Sequence, residues 1–194
     1  MITGRPPFSP ILEYRGKVFS VGGDEGEYTI PNFLSKYATN DLLQKGPPQG
    51  YSLPLSRGKQ LDLAVSGAKA QDVNDQVSRL VHLLNHPQYK DVRNEWKLIT
   101  LFIGANNVCV LCEPPITQLP GLAEADVFEE NVRHVLTRIK KETKKSFINL
   151  VALFNVSSVY EATRGDRYCE SLFDSSHMVI CSCIQGKEAQ RKGS

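Results

Sequence analysis

A three-layer α/β/α fold, with a mainly parallel sheet between helices, is what this sequence predicts, and three observations predict it. The longest apolar run, "WKLITLFIG" at 96–104, is rich in Ile, Leu and Phe and ends in glycine, as a strand buried on both faces does. Two segments, 70–86 and around 126–139, carry apolar residues at helical spacing. Strand and helix patterns alternate with short joins, which indicates parallel pairing through right-handed crossovers.

Taken in order, residues 1–58 form a Pro- and Gly-rich opening segment ("GRPPFSP", "KGPPQGYSLPLSRG") that includes the apolar stretch "IPNFLSKYA", where Pro31 suits the first turn of a short helix. The core of a single domain is expected over 59–184. It starts with "QLDLAVSG" (60–67), read as a short strand ending in Gly67. In "AQDVNDQVSRLVHLLNH", Val73, Val77, Leu80, Val81 and Leu84 line one face of a helix. The strand at 96–104 follows, then the loop "CEPPITQLPGLAEA". Asp126 and Glu129 are expected to cap a second helix whose stripe is Phe128, Val132, Val135, Leu136 and Ile139. "SFINLVALF" (146–154) is a third strand, and 185–194 is a polar tail.

Composition narrows the function classes. The chain has 194 residues, 41% of them apolar, enough for one domain with a sizeable core. Its 23 basic and 21 acidic residues leave a net charge of +2, which implies no nucleic-acid partner. The basic stretch "RIKKETKK" (138–145) reads as a helix end, where cations suit the dipole. No apolar run reaches the length of a membrane span, and "MITGRPPFSP" lacks the apolar core of a signal peptide. Five cysteines (109, 112, 169, 181, 183) admit a disulfide set, buried thiols or, less readily, zinc ligation, because C-x-C is not the usual second half of a structural zinc site. No glycine loop of the nucleotide-binding kinds follows a strand, which argues against a nucleotide-binding domain.

The chemistry-bearing signal is "LFIGANN" (101–107). Amides at the carboxyl end of a buried parallel strand stand where open α/β sheets bind ligands. Gly and Asn also favour turns, so a plain turn explains the same residues.

Together, "AVSG" and "LFIGANN" resemble the second and third blocks of the GDSL-type, or SGNH, hydrolases. More closely, "SVGGDEGEYTIPNFL", "LDLAVSGAKAQDV", "QVSRLVHLL", "EWKLITLFIGANNVCVLC" and "SFINLVAL" are similar, in order, to blocks of the phospholipase B subgroup. The resemblance implies an SGNH-hydrolase, flavodoxin-like sheet and a serine esterase acting on acyl esters of phospholipids or lysophospholipids without cofactor or metal. It implies Gly67 and Asn106 as oxyanion-hole donors. It also implies that the full-length protein is secreted or associated with the plasma membrane, with a membrane surface as partner.

Departures from the family pattern are equally specific. No Gly-Asp-Ser block precedes "YRGKVFSVGGD", and in "SVGGDEG" Glu25 stands where the serine would be. The nucleophile is therefore expected outside this chain, and the fold is expected to be incomplete, lacking the first strand. Asp174 and His177 in "FDSSHM" have the spacing of the family's Asp-x-x-His block but precede "CSC", and are read as coincidence. Asn107 replaces the usual Asp after the oxyanion asparagine. Ser66 is read as a strand-end hydroxyl. A non-catalytic, lipid-binding relative is the alternative function.

Overall fold

The structure is a computed structural model that describes residues 2–3, 12–37, 50–51, 61–110 and 124–166. In chain order the elements are β1 (Ile2–Thr3), β2 (Leu12–Glu13), α1 (Ile30–Leu34), β3 (Gly50–Tyr51), α2 (Val73–Asn85), α3 (Lys90–Arg93), β4 (Lys97–Leu101), α4 (Ala105–Val110), α5 (Ala125–Glu142), β5 (Ser146–Leu150) and α6 (Ser157–Thr163). Three-residue 3₁₀ turns lie at Arg15–Lys17, Ala70–Asp72 and Pro87–Tyr89. The chain divides into two compact units, one of Met1–Gly67, Asp75–Thr100 and Thr137–Asn149, the other of Ala68–Asn74, Leu101–Leu136 and Leu150–Ser194.

From Val73 onward the alternating pattern read from the sequence is present. β4 pairs with β5. Lys97 N–H donates to Lys145 O at one end of the pair and Val151 N–H to Leu101 O at the other, so the two strands run parallel. The opening segment also holds structure that its Pro and Gly content does not announce: β1, β2 and β3 form an antiparallel sheet, with Thr3 opposite Leu12 and Leu12 opposite Tyr51.

In the first unit, Leu80, Leu84, Tyr89 and Val92 form the core, with Leu61, Leu63, Leu83 and Ile99 packed against it. The face of β4 that carries Ile99 is thus covered by α2 and α3. Its alternate residue Leu98, together with Phe147 of β5, is exposed, so among the described residues this part of the sheet is covered on one face. Lys97 is buried, and its ammonium donates to the carbonyls of Arg93 and Glu95 at 2.9 and 2.7 Å. These are orphan acceptors beyond α3, where a cation complements the helix end. Burial holds the Lys97 pKa below the ordinary lysine value.

Residues 61–67 do not form the strand expected at 60–67; a single bridge residue, Val65, remains. The cause is side-chain competition for the backbone. Asp62 Oδ1 accepts the Ala64 N–H at 3.2 Å, and Arg15 Nη1 donates to the Ala64 carbonyl at 3.0 Å. Both ladder groups of Ala64 are taken. Arg15 is itself buried, with Nε on Glu13 at 2.8 Å and Nη1 on Asp62 at 2.9 Å. Its own burial opposes the charge, but the hydrogen bond and charge of Asp62, then those of Glu13, outweigh it and raise the guanidinium pKa.

The "SVGGDEG" stretch builds a turn. Gly22 N–H donates to Val18 O, and a Cβ on Gly22 would collide with the Gly16 carbonyl. Asp24 N–H donates to Gly16 O, and Glu25 is exposed. The Gly-Asp pair therefore serves close backbone approach.

In the second unit, Gly104 adopts φ +125°, and a Cβ there would stand 3.1 Å from the Phe128 ring of α5. Phe102 and Phe154 are in ring contact, with centroids 6.0 Å apart. Both helical stripes hold: Val73, Val77, Leu80 and Leu84 of α2 and Val135 and Ile139 of α5 are buried, while Val81, Phe128, Val132 and Leu136 are half-buried. Asp126 lies inside the first turn of α5 instead of capping it, and Glu129 pairs with Arg133 at 2.6 Å. Their contribution is to helix dipole and surface pairing. Arg138 in the basic stretch makes a two-bond fork on Glu142, in keeping with a helix end.

Candidate functional site

The segment "LFIGANN" is strand, turn and helix. β4 ends at Leu101, Gly104 makes the turn in a conformation open to glycine, and α4 starts at Ala105 with Val108 N–H on Gly104 O at 3.0 Å. Both amides therefore lie in the first turn of a helix, and they have different work.

Asn107 is buried. Its Oδ1 accepts the Ala70 N–H at 2.9 Å and its Nδ2 donates to Gln71 Oε1 at 3.1 Å. Ala70 is itself 1% exposed, so its N–H has no access to water and needs this acceptor. Asn107 thus fastens the turn at 70–72 to α4. A carboxylate in this place would serve the Ala70 N–H equally, but Gln71 would then have to turn its amide around to donate.

Asn106 is half-buried, and its Nδ2 donates to Ala68 O at 2.8 Å. An amide nitrogen carries two hydrogens. The bond to Ala68 orients the amide. A neutral donor held in a fixed direction beside a buried backbone is what stabilisation of a developing oxyanion needs.

Gly67 has φ +80° in the left-handed region, and nothing lies within 4 Å of where a Cβ would be. Ser66 is engaged elsewhere: its hydroxyl hydrogen-bonds the buried Glu13 carboxylate of the Arg15 cluster. No strand forms at 61–67, so Ser66 is a hydroxyl of the Arg15 cluster and not of a strand end. Asp174 and His177 lie outside the described residues. So do the loop at 112–122 and four of the five cysteines. Cys109, half-buried in α4 three residues after Asn106, is disulfide-bonded, which decides between disulfide and thiol for this cysteine.

What the sequence reading missed is the role of the second amide. The signal was present in the doubled Asn of "GANN", but only the acceptor for the Ala70 N–H gives it a meaning. Among the described residues no three His, Cys, Asp or Glu side chains gather as metal ligands. Nor is any helix there long and apolar enough to cross a membrane.

The GDSL-like lipase/acylhydrolase family model matches residues 18–179. The human protein "Phospholipase B1, membrane-associated" is 29% identical over 175 residues, covering 90% of this chain and 12% of that protein. The rat protein of the same name is 32% identical over 187 residues, covering 93% of this chain and 12% of its own length. The mouse protein is 31% identical over 179 residues, covering 89% and 11%. The chain thus spans about an eighth of these relatives. No solved structure matches the chain.

Proposed function

Because the chain belongs to the GDSL-like lipase/acylhydrolase family, we propose that it carries the oxyanion-binding part of a lipid ester hydrolase of the phospholipase B kind. Its substrates are fatty acyl esters of phospholipids or lysophospholipids, met at a membrane surface. The observation that supports the reading is the anchoring of the Asn106 amide by one hydrogen to Ala68 O, which leaves an amide nitrogen a second hydrogen to offer an oxyanion.

In the reaction, a serine oxygen attacks the ester carbonyl carbon and the carbonyl oxygen becomes an oxyanion. The bond to the leaving alkoxide then breaks, and that group departs with the proton taken from the serine. Asn106 Nδ2–H supplies one donor to the oxyanion, and the Gly67 N–H supplies another by its place in the family pattern. Such donors act at the moment charge develops, in a partly dry site. The serine and its acid/base partners are assigned to no residue of this chain. Asp174 and His177 keep the weak claim of their spacing alone.

The test is turnover of a short-chain chromogenic ester and of a lysophospholipid by a protein that joins this chain to the serine and its acid/base partners, beside its Asn106→Ala variant. Loss of one oxyanion donor lowers kcat by ~10²–10³-fold with little change in KM. Equal turnover by the variant would remove Asn106 from the chemistry.

A second reading, a non-catalytic relative that binds lipid, is favoured by one observation: residues 1–194 contain no Gly-Asp-Ser block. Saturable lysophospholipid binding by a folded chain without turnover would select it.

A further inference from the structure

Three helices of the first unit end at one place. Asn85 is the last residue of α2, Arg93 of α3 and Glu142 of α5, and all three line one cavity of about 260 Å³. The buried Leu84 and the half-buried Val81 give it an apolar wall, and the exposed Asn94 and Lys144 line it as well. Its volume lies just below the range of ordinary small-molecule clefts, so a ligand of a few heavy atoms has room.

The sign of the charge decides what such a cavity takes. A helix carboxyl end carries roughly half a negative charge, so three bare ends would draw in a cation. The side chains reverse this. Arg93 Nε donates to Leu84 O at 2.8 Å, Asn85 Nδ2 to Val81 O at 2.9 Å and Thr143 Oγ1 to Ile139 O at 2.6 Å. The Lys97 ammonium covers the carbonyls of Arg93 and Glu95. Glu142, the carboxylate of the lining, is held by Arg138 through two bonds of 2.7 and 3.2 Å. Beside Lys97, the charges of Glu95 and Lys145 act with opposite sign. Asp75, whose charge reaches Arg138, stands about 15 Å back along α2 from Asn85. Arg93, Lys97, Arg138 and Lys144 therefore outweigh Glu142 and the three helix ends by roughly one to two positive charges.

The donors match an anion in geometry too. Nε is one of five N–H donors of Arg93, and the remaining ones form the planar fork that fits a carboxylate or phosphate. Asn94 adds a side-chain amide. We infer that this cavity binds a small organic anion, a carboxylate or a phosphate monoester with a short apolar group. Arg93 and Lys144 take the anionic oxygens, and Val81 and Leu84 take the apolar part. None of these residues belongs to the turn that carries Asn106, so the site does not depend on the ester chemistry proposed above.

The experiment is titration of the isotope-labelled full chain with acetate, butyrate and inorganic phosphate, beside sodium chloride at matched ionic strength, followed by amide chemical shifts. The wild type is compared with Lys144→Gln, at an exposed position, and with Arg93→Lys, which keeps the charge but not the fork. Far-ultraviolet circular dichroism checks that each variant folds. The side-chain amides of Asn85 and Asn94 are expected to shift saturably with butyrate or phosphate and not with chloride. Affinity should fall about tenfold in Arg93→Lys and severalfold in Lys144→Gln. Butyrate should bind severalfold more tightly than acetate, by the apolar area it buries. Saturation by phosphate alone assigns the site to phosphate monoesters, and saturation by the carboxylates alone assigns it to carboxylates. Shifts no larger than those in chloride would overturn the inference. So would one affinity shared by the wild type and both variants, which would place the anion elsewhere on the chain.

Discussion

Replacing Arg15 by Met is the most direct probe of what holds the first unit together. Arg15 lies between two carboxylates, and all three residues are less than 10% exposed. The substitution keeps most of the side-chain volume but removes the donors to Glu13 at 2.8 Å, Asp62 at 2.9 Å and the Ala64 carbonyl at 3.0 Å. Two buried acids are then left facing each other without a cation. Breaking a buried pair in this way costs about 3–5 kcal/mol, mostly the penalty of the stranded charge. For a chain of this size each kcal/mol moves Tm by about 2–4 °C, so a fall of about 6–20 °C is expected. Urea unfolding at neutral pH, followed by circular dichroism, should show the midpoint lower by about 2 M. The triple variant Arg15→Met/Glu13→Gln/Asp62→Asn removes the stranded charges as well and should recover most of the loss. A single variant within about 1 kcal/mol of wild type would refute the reasoning, since the cluster would then behave as a solvated surface pair. Failure of the triple variant to recover would show that hydrogen-bond geometry, not charge, carries the cluster.

Two further perturbations test the turn that presents the amides. Gly104→Ala puts a Cβ at φ +125° and 3.1 Å from the Phe128 ring, and should destabilise by about 1–3 kcal/mol in the same unfolding assay. Asn107→Leu leaves the buried Ala70 N–H without an acceptor, for a loss of about 1–3 kcal/mol, whereas Asn107→Asp keeps the acceptor and should lose less. Hydrogen exchange at the Ala70 amide reads the same contact locally: it should quicken in Asn107→Leu and stay slow in Asn107→Asp.

The sequence by itself determined the alternation of helices and strands from residue 73 onward. Valines and leucines spaced for one helix face at 73–84 and 128–139 can bury their stripes in only one way, and the apolar run at 96–104 marks a strand, though one with Trp96, Leu98 and Phe102 exposed rather than buried on both faces. Collinear blocks likewise made family membership legible, since each block needs only its own residues.

What only the tertiary structure decided depends on groups distant in sequence. Residues 60–67 have a strand's composition, yet a guanidinium 49 residues away and the carboxylate of Asp62 take the backbone groups a ladder would use. Asn106 and Asn107 are adjacent and chemically identical. One amide meets the Ala68 carbonyl 38 residues away, and the other meets the Ala70 N–H 37 residues away. Among the described residues the first is tied to a carbonyl through its nitrogen, and the second serves a buried N–H through its oxygen. "IPNFLSKYA" reads as an apolar stretch, yet Phe33, Leu34 and Tyr37 are exposed, while the Asn32 amide is taken by the carbonyls of Asp24 and Glu27. Hydrophobic periodicity is a local property of the chain and survives in sequence. The satisfaction of a particular buried donor is a property of two distant segments at once, and it exists only when the chain has folded.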